Sequence, residues 1–228
     1  MSLFAIADTH LSFASNKPMD DFEGWLNYTD RLKENWNKII DDKDYVVIAG
    51  DISWAMNFDE LKADFDYINQ LNGKKIILKG NHDYWWNTMS KMNKFIEENN
   101  FNTISILHNN AFDFDDFSVC GSRGWFFDSD EEQNEKVLNR EVMRIKASIE
   151  SALNCEKIVF LHYPPVYENQ CCEEIISLLK EKGIKKCYYG HIHGVAAKYA
   201  FDDNYDGIDF KLISADRLNF MPLLIKKF

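Results

Sequence analysis

Five of the six histidines in this 228-residue chain lie in short clusters of polar residues. The clusters are, in chain order, Asp8-Thr9-His10, Gly50-Asp51, Gly80-Asn81-His82-Asp83, His162 and Gly190-His191-Ile192-His193. Each follows a short run of β-branched or aromatic residues typical of a strand, at 3–7, 45–49, 75–79, 157–161 and 186–189. Open α/β sheets place their sites at the carboxyl ends of strands, so the sequence predicts one polar site built from five strand ends.

The side chains of these clusters form the donor set of a metal site. They offer carboxylates, several imidazoles and one carboxamide. Imidazole combined with carboxylate favours Zn, Mn, Fe, Ni or Co over Ca or Mg. A single Asp-x-His or strand-end histidine is more often an ordinary loop residue than a ligand. The five clusters together predict a site for two divalent transition metal ions.

Hydrophobic periodicity predicts helices at 26–40, 58–71, 86–99, 129–153 and 171–182, the fourth with a capping box of Ser129 and Glu132. Strands are expected at 103–107 and 112–119, in a hairpin, and at 198–201, 208–214 and 223–226 as antiparallel strands. Asp206-Gly207 is the expected turn between the strands at 198–201 and 208–214. The order predicts an α/β protein with a parallel first half and a more antiparallel second half.

Length and charge limit the possible partners. A chain of 228 residues without repeats or linkers predicts a single domain over residues 1–228. The net charge of -11 disfavours long duplex nucleic acid as a partner. Two divalent ions would nevertheless make the site itself attractive to a phosphate.

Five cysteines without a Cys-x-x-Cys pair predict a reduced, cytoplasmic protein. We expect neither export nor membrane insertion, since no leader pattern and no stretch of about 18 apolar residues is seen. The sequence does not determine the oligomeric state.

In order and spacing, the five clusters resemble the calcineurin-like metallophosphoesterase superfamily, whose pattern is D-x-H, G-D, G-N-H-[DE], H and G-H-x-H. The resemblance spans Asp8 to His193. It implies a four-layer αββα sandwich of two mixed β-sheets flanked by helices. Periodicity alone predicts only an α/β protein with antiparallel additions.

The resemblance also implies the roles of the residues. One metal would be held by Asp8, His10, Asp51 and His193, and the other by Asp51, Asn81, His162 and His191. A carboxylate that bridges two metals holds them about 3.5 to 4 Å apart, where they share a hydroxide that attacks phosphorus. His82 would protonate the leaving group, and Asp83 would support it. In the alternative, His82 only donates a hydrogen bond to Asp83.

Arg123 and a set of aromatic residues are further candidates. Arg123 lies between Gly121 and Gly124 in the sequence. It is expected either to bind the phosphate with its guanidinium group or to serve as a structural arginine. The aromatic residues that follow the clusters or Arg123 form either a stacking rim for a flat group or ordinary core; they are Trp54, Tyr84, Trp85, Trp86, Trp125, Phe126, Tyr163 and Tyr167. His108 is expected to be a solvated loop residue.

Departures from the superfamily pattern bear on the substrate. Its protein phosphatases continue the second cluster as G-D-x-V-D-R-G, whereas this chain reads Gly50-Asp51-Ile52-Ser53-Trp54. The resemblance is closer to bacterial hydrolases of small phosphoesters, and a small phosphodiester or nucleotide-like substrate is expected. The alternatives are a Ser/Thr phosphoprotein phosphatase and a non-catalytic metal-binding scaffold.

Overall fold

The computed structural model describes residues 1–125, 135–168 and 170–228. The strands in these ranges are β1 (Ser2–Ile6), β2 (Tyr45–Ala49), β3 (Lys74–Leu78), β4 (Ile104–Ile106), β5 (Phe112–Asp113), β6 (Phe117–Ser122), β7 (Glu156–Leu161), β8 (Val166–Tyr167), β9 (Gln170–Cys171), β10 (Lys186–Tyr189), β11 (Asn204–Tyr205), β12 (Ile208–Leu212) and β13 (Leu223–Lys227). The α-helices are α1 (Tyr28–Ile39), α2 (Phe58–Gln70), α3 (Met89–Glu98), α4 (Glu135–Ser151) and α5 (Glu173–Glu181).

Two large mixed sheets form the centre of the fold. The first has the order β13-β1-β2-β3-β4, with β1 to β4 parallel and β13 antiparallel to β1. The second has the order β11-β12-β10-β7-β6-β5, in which the four inner strands are parallel and both edge strands are antiparallel. The second half is therefore more parallel than the sequence predicted.

Alternating side chains on each central strand divide the interior into layers. On β1, Leu3 and Ala5 lie in the core between the two sheets, while Phe4 and Ile6 lie in the core beneath helices α1 to α3. The second sheet repeats this alternation along β7 and buries its outer face under α4 and α5. Strands covered on both faces read as continuous apolar runs. The predicted αββα sandwich is confirmed.

The chain after the last histidine cluster differs from the prediction. The first two residues of the segment expected as a strand at 198–201 instead belong to a 3-10 helix, Gly194–Tyr199, which begins where Gly194 at φ 61 turns the chain directly after His193. The edge strand β11 comes later. The turn at Asp206 and Gly207 is confirmed, with both residues at positive φ.

Two other predictions also differ from the structure. Strand β4 joins the first sheet, and the alternating segment after it forms its own hairpin, β5 and β6, in the second. Cys171 lies in strand β9 and not in a helix. The expected capping box of Ser129 and Glu132 lies outside the described residues, as does Phe126. No helix in the described ranges has the length and apolar character needed to cross a membrane.

Lys75 is a fully buried cation within the first sheet. Its Nζ donates to the carbonyl oxygens of Leu71 (2.6 Å) and Gly73 (2.7 Å), just beyond the last residue of α2. An ammonium group is stabilised there by the helix dipole. Burial still lowers the pKa of Lys75 to about 8.

We expect this lysine to make the free energy of unfolding rise with pH. Below pH 8 the amine is charged in both states, whereas between about 8 and 10.5 the unfolded chain holds the proton more tightly, so folding is favoured as pH rises. Denaturant titrations at pH 7.5 and 10 should show an increase of about 1 to 3 kcal/mol that is absent in Lys75→Met. Substituting the exposed neighbour Lys74 by Met is the control and should keep the increase.

Candidate metal centre

The five predicted clusters come together where the carboxyl ends of β1, β2, β3, β7 and β10 meet. Two glycines allow the loops to approach this closely. A side-chain carbon on Gly50 would lie 2.6 Å from Nδ1 of His162, and one on Gly80 would overlap the backbone nitrogen of Asp51. The Gly-Asp and Gly-Asn-His patterns thus reflect a steric requirement of the site.

Four of the predicted ligands have left-handed backbone conformations, with φ of 56° at Asp8, 44° at His10, 49° at Asp51 and 72° at His191. Such conformations are costly for residues other than glycine and persist only where surrounding structure holds them. Here the backbone NH of His10 donates to the carbonyl oxygen of Asp51 at 3.0 Å, which ties the first two loops together. The strained backbone directs these side chains inward.

One group of donors surrounds the Oδ1 atom of Asp51. His162 Nε2 lies 3.4 Å from this oxygen and 2.7 Å from Oδ1 of Asn81, and His191 Nδ1 lies 3.0 Å from the same Asn81 oxygen. The carboxylate and the two imidazoles have ligand atoms within 4.8 Å of one another. This spacing allows a single ion to contact all of them.

The hydrogen bonding of His162 indicates how its ring is used. Nδ1 lies 3.1 Å from the carbonyl oxygen of Ala49, which assigns the proton to that nitrogen. Nε2 is then a lone-pair donor that faces another acceptor, the Asn81 oxygen. Burial lowers the pKa of His162 to about 3, which keeps the ring neutral. A metal ion between the two acceptors satisfies both.

A second group consists of Asp8, His10 and Asp51, again with ligand atoms within 4.8 Å of one another. His10 Nε2 is 3.8 Å from Asp51 Oδ2. Both ring nitrogens of His10 are buried and lack a hydrogen-bond partner within the described ranges. His193 packs its ring 5.2 Å from that of His10 but lies outside either group. The orphaned imidazole fits a ligand of a metal ion.

The Asp8 carboxylate accepts hydrogen bonds from His191 and Ser214, of which only His191 is a predicted site residue. The backbone NH of His191 lies 3.0 and 2.9 Å from its two oxygens, and the Ser214 hydroxyl donates to Oδ2 at 2.6 Å. The cluster pattern identifies ligands and not the donors that hold them, so it does not predict the role of Ser214. A signal existed, since Ser214 is a polar residue at the end of a predicted strand.

The pKa values of the buried groups in the centre also favour cation binding. Burial raises the pKa of Asp51 to about 6 and raises that of Asp8 well above its ordinary value, while it lowers that of His10 well below. Buried carboxylates and imidazoles therefore lack compensating charge. A bound divalent ion reverses this situation, because it favours ionised carboxylates and neutral imidazoles. The residues present fit divalent metal binding.

His82 lies next to the centre and belongs to neither donor group. Its Nε2 is 4.0 Å from Asp51 Oδ2, and its Nδ1 is 3.2 Å from the hydroxyl of Tyr84. The ring lies 4.4 Å from that of Trp54, and the side chain is 32% exposed. His82 is therefore accessible from solvent and close to the bridging carboxylate.

Asp83 follows His82 in the chain and has a side chain that is hydrogen-bonded to backbone groups near the site. It is fully buried. Its Oδ1 accepts hydrogen bonds from the backbone NH groups of Ile52 (2.9 Å) and Ser53 (3.3 Å) and from the indole Nε1 of Trp85 (3.2 Å). Its Oδ2 accepts from the backbone NH of Gly80 at 2.7 Å. The described contacts of the Asp83 carboxylate do not include the His82 ring, and the expected support of His82 by Asp83 stays a prediction. The carboxylate instead joins the loops that follow β2 and β3.

Arg123 follows β6 at the edge of the centre. Its carbonyl oxygen accepts from the backbone NH groups of His162 (3.1 Å) and Tyr163 (2.8 Å), and its Nη2 lies 4.0 Å from a Glu141 oxygen. Its charge helps to lower the pKa of Asp51, although burial raises that pKa more. Arg123 thus has both structural contacts and a position near the donors.

The predicted aromatic rim contains both buried and accessible rings, and Tyr84 beside His82 is 51% exposed. Trp85, Trp125 and Tyr163 are buried, so they cannot stack on a ligand from solvent. Trp54 differs, because it is partly exposed and stacks on His10 with ring centres 4.9 Å apart. His108 is half-buried beside Trp86, which corrects the expectation of a solvated residue.

A cleft of about 820 Å³ opens beside Trp54, His82 and His193. Its floor includes Trp25, a buried residue whose ring lies 6.2 Å from that of His193. Asp216 lines the cleft and accepts from the backbone NH of Gly194 at 2.6 Å. Sequence reasoning missed Trp25 and Asp216, since both lie far along the chain from the clusters they approach.

Comparisons with known proteins agree with this geometry. A segment of 86 residues is 34% identical to an uncharacterized protein of Methanocaldococcus jannaschii and covers 36% of this chain and 46% of that protein. The chain thus spans less than half the length of this relative. The phosphopantetheinyl hydrolase of Mycobacterium tuberculosis has a similar fold, with a TM-score of 0.57, 13% identity, and coverage of 100% of this chain and 96% of that one.

A protein of unknown function from Aquifex aeolicus is also similar in fold, with a TM-score of 0.51, 16% identity, and coverage of 98% of this chain and 95% of its own. At these identities the two structures show the fold alone. The sequence profile described as calcineurin-like phosphoesterase matches residues 1–195, which include all five clusters. The chain therefore belongs to the calcineurin-like phosphoesterase family.

Proposed function

We propose that this protein is a hydrolase of small phosphodiesters or nucleotide-like phosphoesters that uses two divalent transition metal ions. Family membership supports metal-dependent hydrolysis of phosphate esters. The observation that carries the finer proposal is the position of Asp51, whose two oxygens face two separate donor groups. A carboxylate in that position is suited to bridge two ions.

The proposed ligands divide between the two oxygens of Asp51. Asp8, His10 and His193 complete one set, and Asn81, His162 and His191 complete the other. When bound, two such ions activate water and neutralise charge on the phosphoryl oxygens. The chain contributes fixed geometry, since the Ser214 hydroxyl and the His191 backbone NH hold Asp8 and the Ala49 carbonyl holds the His162 ring.

His82 is the proposed general acid. It lies near the bridging carboxylate yet outside the proposed ligand sets, and it lines the adjacent cleft. A leaving group that departs into this cleft passes the His82 ring, which can protonate its oxygen. Tyr84, whose hydroxyl is 3.2 Å from His82 Nδ1, would orient the ring. In this proposal Asp83 only positions the loops.

The cleft supports a leaving group with a flat ring. Trp54 and the exposed Phe22 line it, and Lys17 lies over the Trp54 indole at 4.5 Å. Aromatic faces stack well on bases and other planar groups. The chain also lacks the Asp-Arg extension of the protein phosphatases after Asp51, which argues against phosphoproteins as substrates.

We expect two transition metal ions per chain after reconstitution with Mn or Zn, and loss of activity with a chelator. Asp51→Asn should lower the occupancy of both sites, because it removes the shared charge while asparagine tolerates the left-handed backbone. Elemental analysis of dialysed protein measures this. Asp59→Asn, an exposed change on α2, should bind metal normally. A single ion per chain, or full occupancy in Asp51→Asn, contradicts the bridging role.

We expect His82→Ala to lower kcat by about 10² to 10⁴ for esters with alkoxide leaving groups, because these need a proton. The loss should be smallest for nitrophenolate, which leaves without protonation. Steady-state kinetics on a matched pair of diesters gives both values, and metal analysis checks that the centre is intact. Equal losses on both esters would rule out acid catalysis by His82.

We expect kcat/KM to be higher for nucleotide-like diesters than for phosphopeptides. Trp54→Ala should reduce kcat/KM for base-bearing leaving groups by about tenfold, in line with the stacking energy of a base on an indole. Methyl esters of the same phosphate should lose less. Tyr205→Ala on the distant edge strand β11 serves as the control. Faster phosphopeptide hydrolysis without diesterase activity would reject the proposed substrate class.

A further inference from the structure

Two exposed apolar residues line the cleft beside His82 and His193. Phe22 belongs to the segment between β1 and α1, and Val195 belongs to the 3-10 helix that directly follows His193. Phe22 is 60% exposed and Val195 is 71% exposed. We call Phe22 and Val195 the apolar pair. Single exposed apolar residues are ordinary, whereas apolar side chains that share a groove with the partly exposed Trp54 indicate a binding surface.

The fixed charges that line this cleft cancel one another. Among the described residues, the charged side chains of the lining are two cations and two anions, namely Arg31, Lys198, Glu23 and Asp216. The adjacent segment 17–21 adds one lysine and two aspartates, so it supplies no surplus of positive charge. A charged group in the cleft would therefore meet like charges as well as opposite ones. The lining favours an uncharged group.

Two of the four charged residues hold the backbone next to the apolar pair. Arg31 Nη1 donates to the carbonyl oxygen of Gly24 at 2.7 Å, two residues after Phe22. Asp216 Oδ2 accepts from the backbone NH of Gly194 at 2.6 Å, one residue before Val195. Both segments are thus anchored without a ligand. Binding to an anchored surface costs less conformational entropy than ordering a loose one.

We propose that the apolar pair binds an aliphatic chain on the leaving group of the substrate, beyond a flat ring beside Trp54. This inference rests on the proposed function, which directs the leaving group into the cleft. It narrows the substrate class to amphiphilic phosphoesters, with the phosphate at the metal centre and an uncharged, apolar leaving group in the cleft. The volume of about 820 Å³ is within the range of pockets that enclose drug-sized ligands.

The energetics of apolar transfer give the expected size of the effect. A methylene group that is completely removed from water gains about fourfold in an equilibrium constant, and one that is half covered gains about twofold. The apolar pair lies in an open cleft, so the smaller value applies. A chain of four carbons should therefore raise kcat/KM by about tenfold. A charged chain of similar length should bring no gain, because the charges of the lining cancel.

The first experiment measures kcat/KM for a series of aryl methyl diesters of phosphate. Methyl phenyl phosphate, methyl 4-ethylphenyl phosphate and methyl 4-butylphenyl phosphate release phenols of nearly equal acidity, so only the chain differs at the leaving group. Wild-type protein should show a gradient of about tenfold from the phenyl to the butylphenyl ester. Methyl 4-(carboxymethyl)phenyl phosphate should react no faster than the phenyl ester. A gradient of one, or a preference for the carboxymethyl ester over the ethyl ester, overturns the inference.

Variants test whether the apolar pair produces this gradient. The double variant Phe22→Ser with Val195→Ser should reduce the gradient to about twofold or less, whereas Phe22→Leu should keep it because leucine is also apolar. Met143→Ser is the matched control, since Met143 on α4 is 62% exposed and does not line the cleft. A full gradient in the double variant overturns the inference. A dimer in wild-type protein that the double variant abolishes, measured by light scattering, would assign the pair to a second copy instead.

A binding measurement separates this inference from the proposed function. Calorimetry on protein loaded with Mn compares phenylphosphonate with 4-butylphenylphosphonate, neither of which can be hydrolysed as an ester. Tighter binding of the butyl compound that disappears in the double variant supports the role of the apolar pair, even if no ester is hydrolysed and the proposed function fails. Equal affinity of wild-type protein for the two phosphonates overturns the inference, even if the diesters are hydrolysed.

Discussion

The burial of the Asp51 carboxylate where two sheets meet is the constraint on which the site depends. Its two oxygens face donors from both sheets, so the sheets must pack with their strand ends in one place. Gly50 and Gly80 permit that contact, and left-handed backbone at the ligands directs their side chains inward. A carboxylate buried this deeply is destabilising unless cations compensate its charge. Fold and metal binding are therefore energetically coupled.

The sequence predicted the parts of this site that are encoded locally. Each cluster follows its own strand, so Asp8, Asp51 and His162 were recognisable without knowledge of the sheet order. Trp25 and Asp216 were not, because their proximity to His193 arises only when distant segments pack together. The direction of the strands in the second sheet could not be predicted from local sequence patterns either. Parallel pairing of β12 with β10 depends on the route of the chain and not on residue alternation.

The loops around the centre are the parts of this fold that can vary to change substrate specificity. The five strand ends supply the groups expected of a phosphoesterase, whereas most residues of the cleft beside Trp54 lie outside the five clusters. Loops tolerate sequence change more readily than the strands that they connect. Two members of the family can therefore share the five clusters and differ in the groups that they accept beside them.

The packing of tryptophan against His10 has an optical consequence. The ring of Trp54 stacks on His10 at 4.9 Å, and the ring of Trp25 meets it edge-on at 6.0 Å. Any ion bound by this imidazole would change the electric field at both indoles and hence their fluorescence. The protein thus contains an intrinsic reporter of occupancy at one half of the centre, whereas the other half, lined by Tyr163, lacks an adjacent indole among the described contacts.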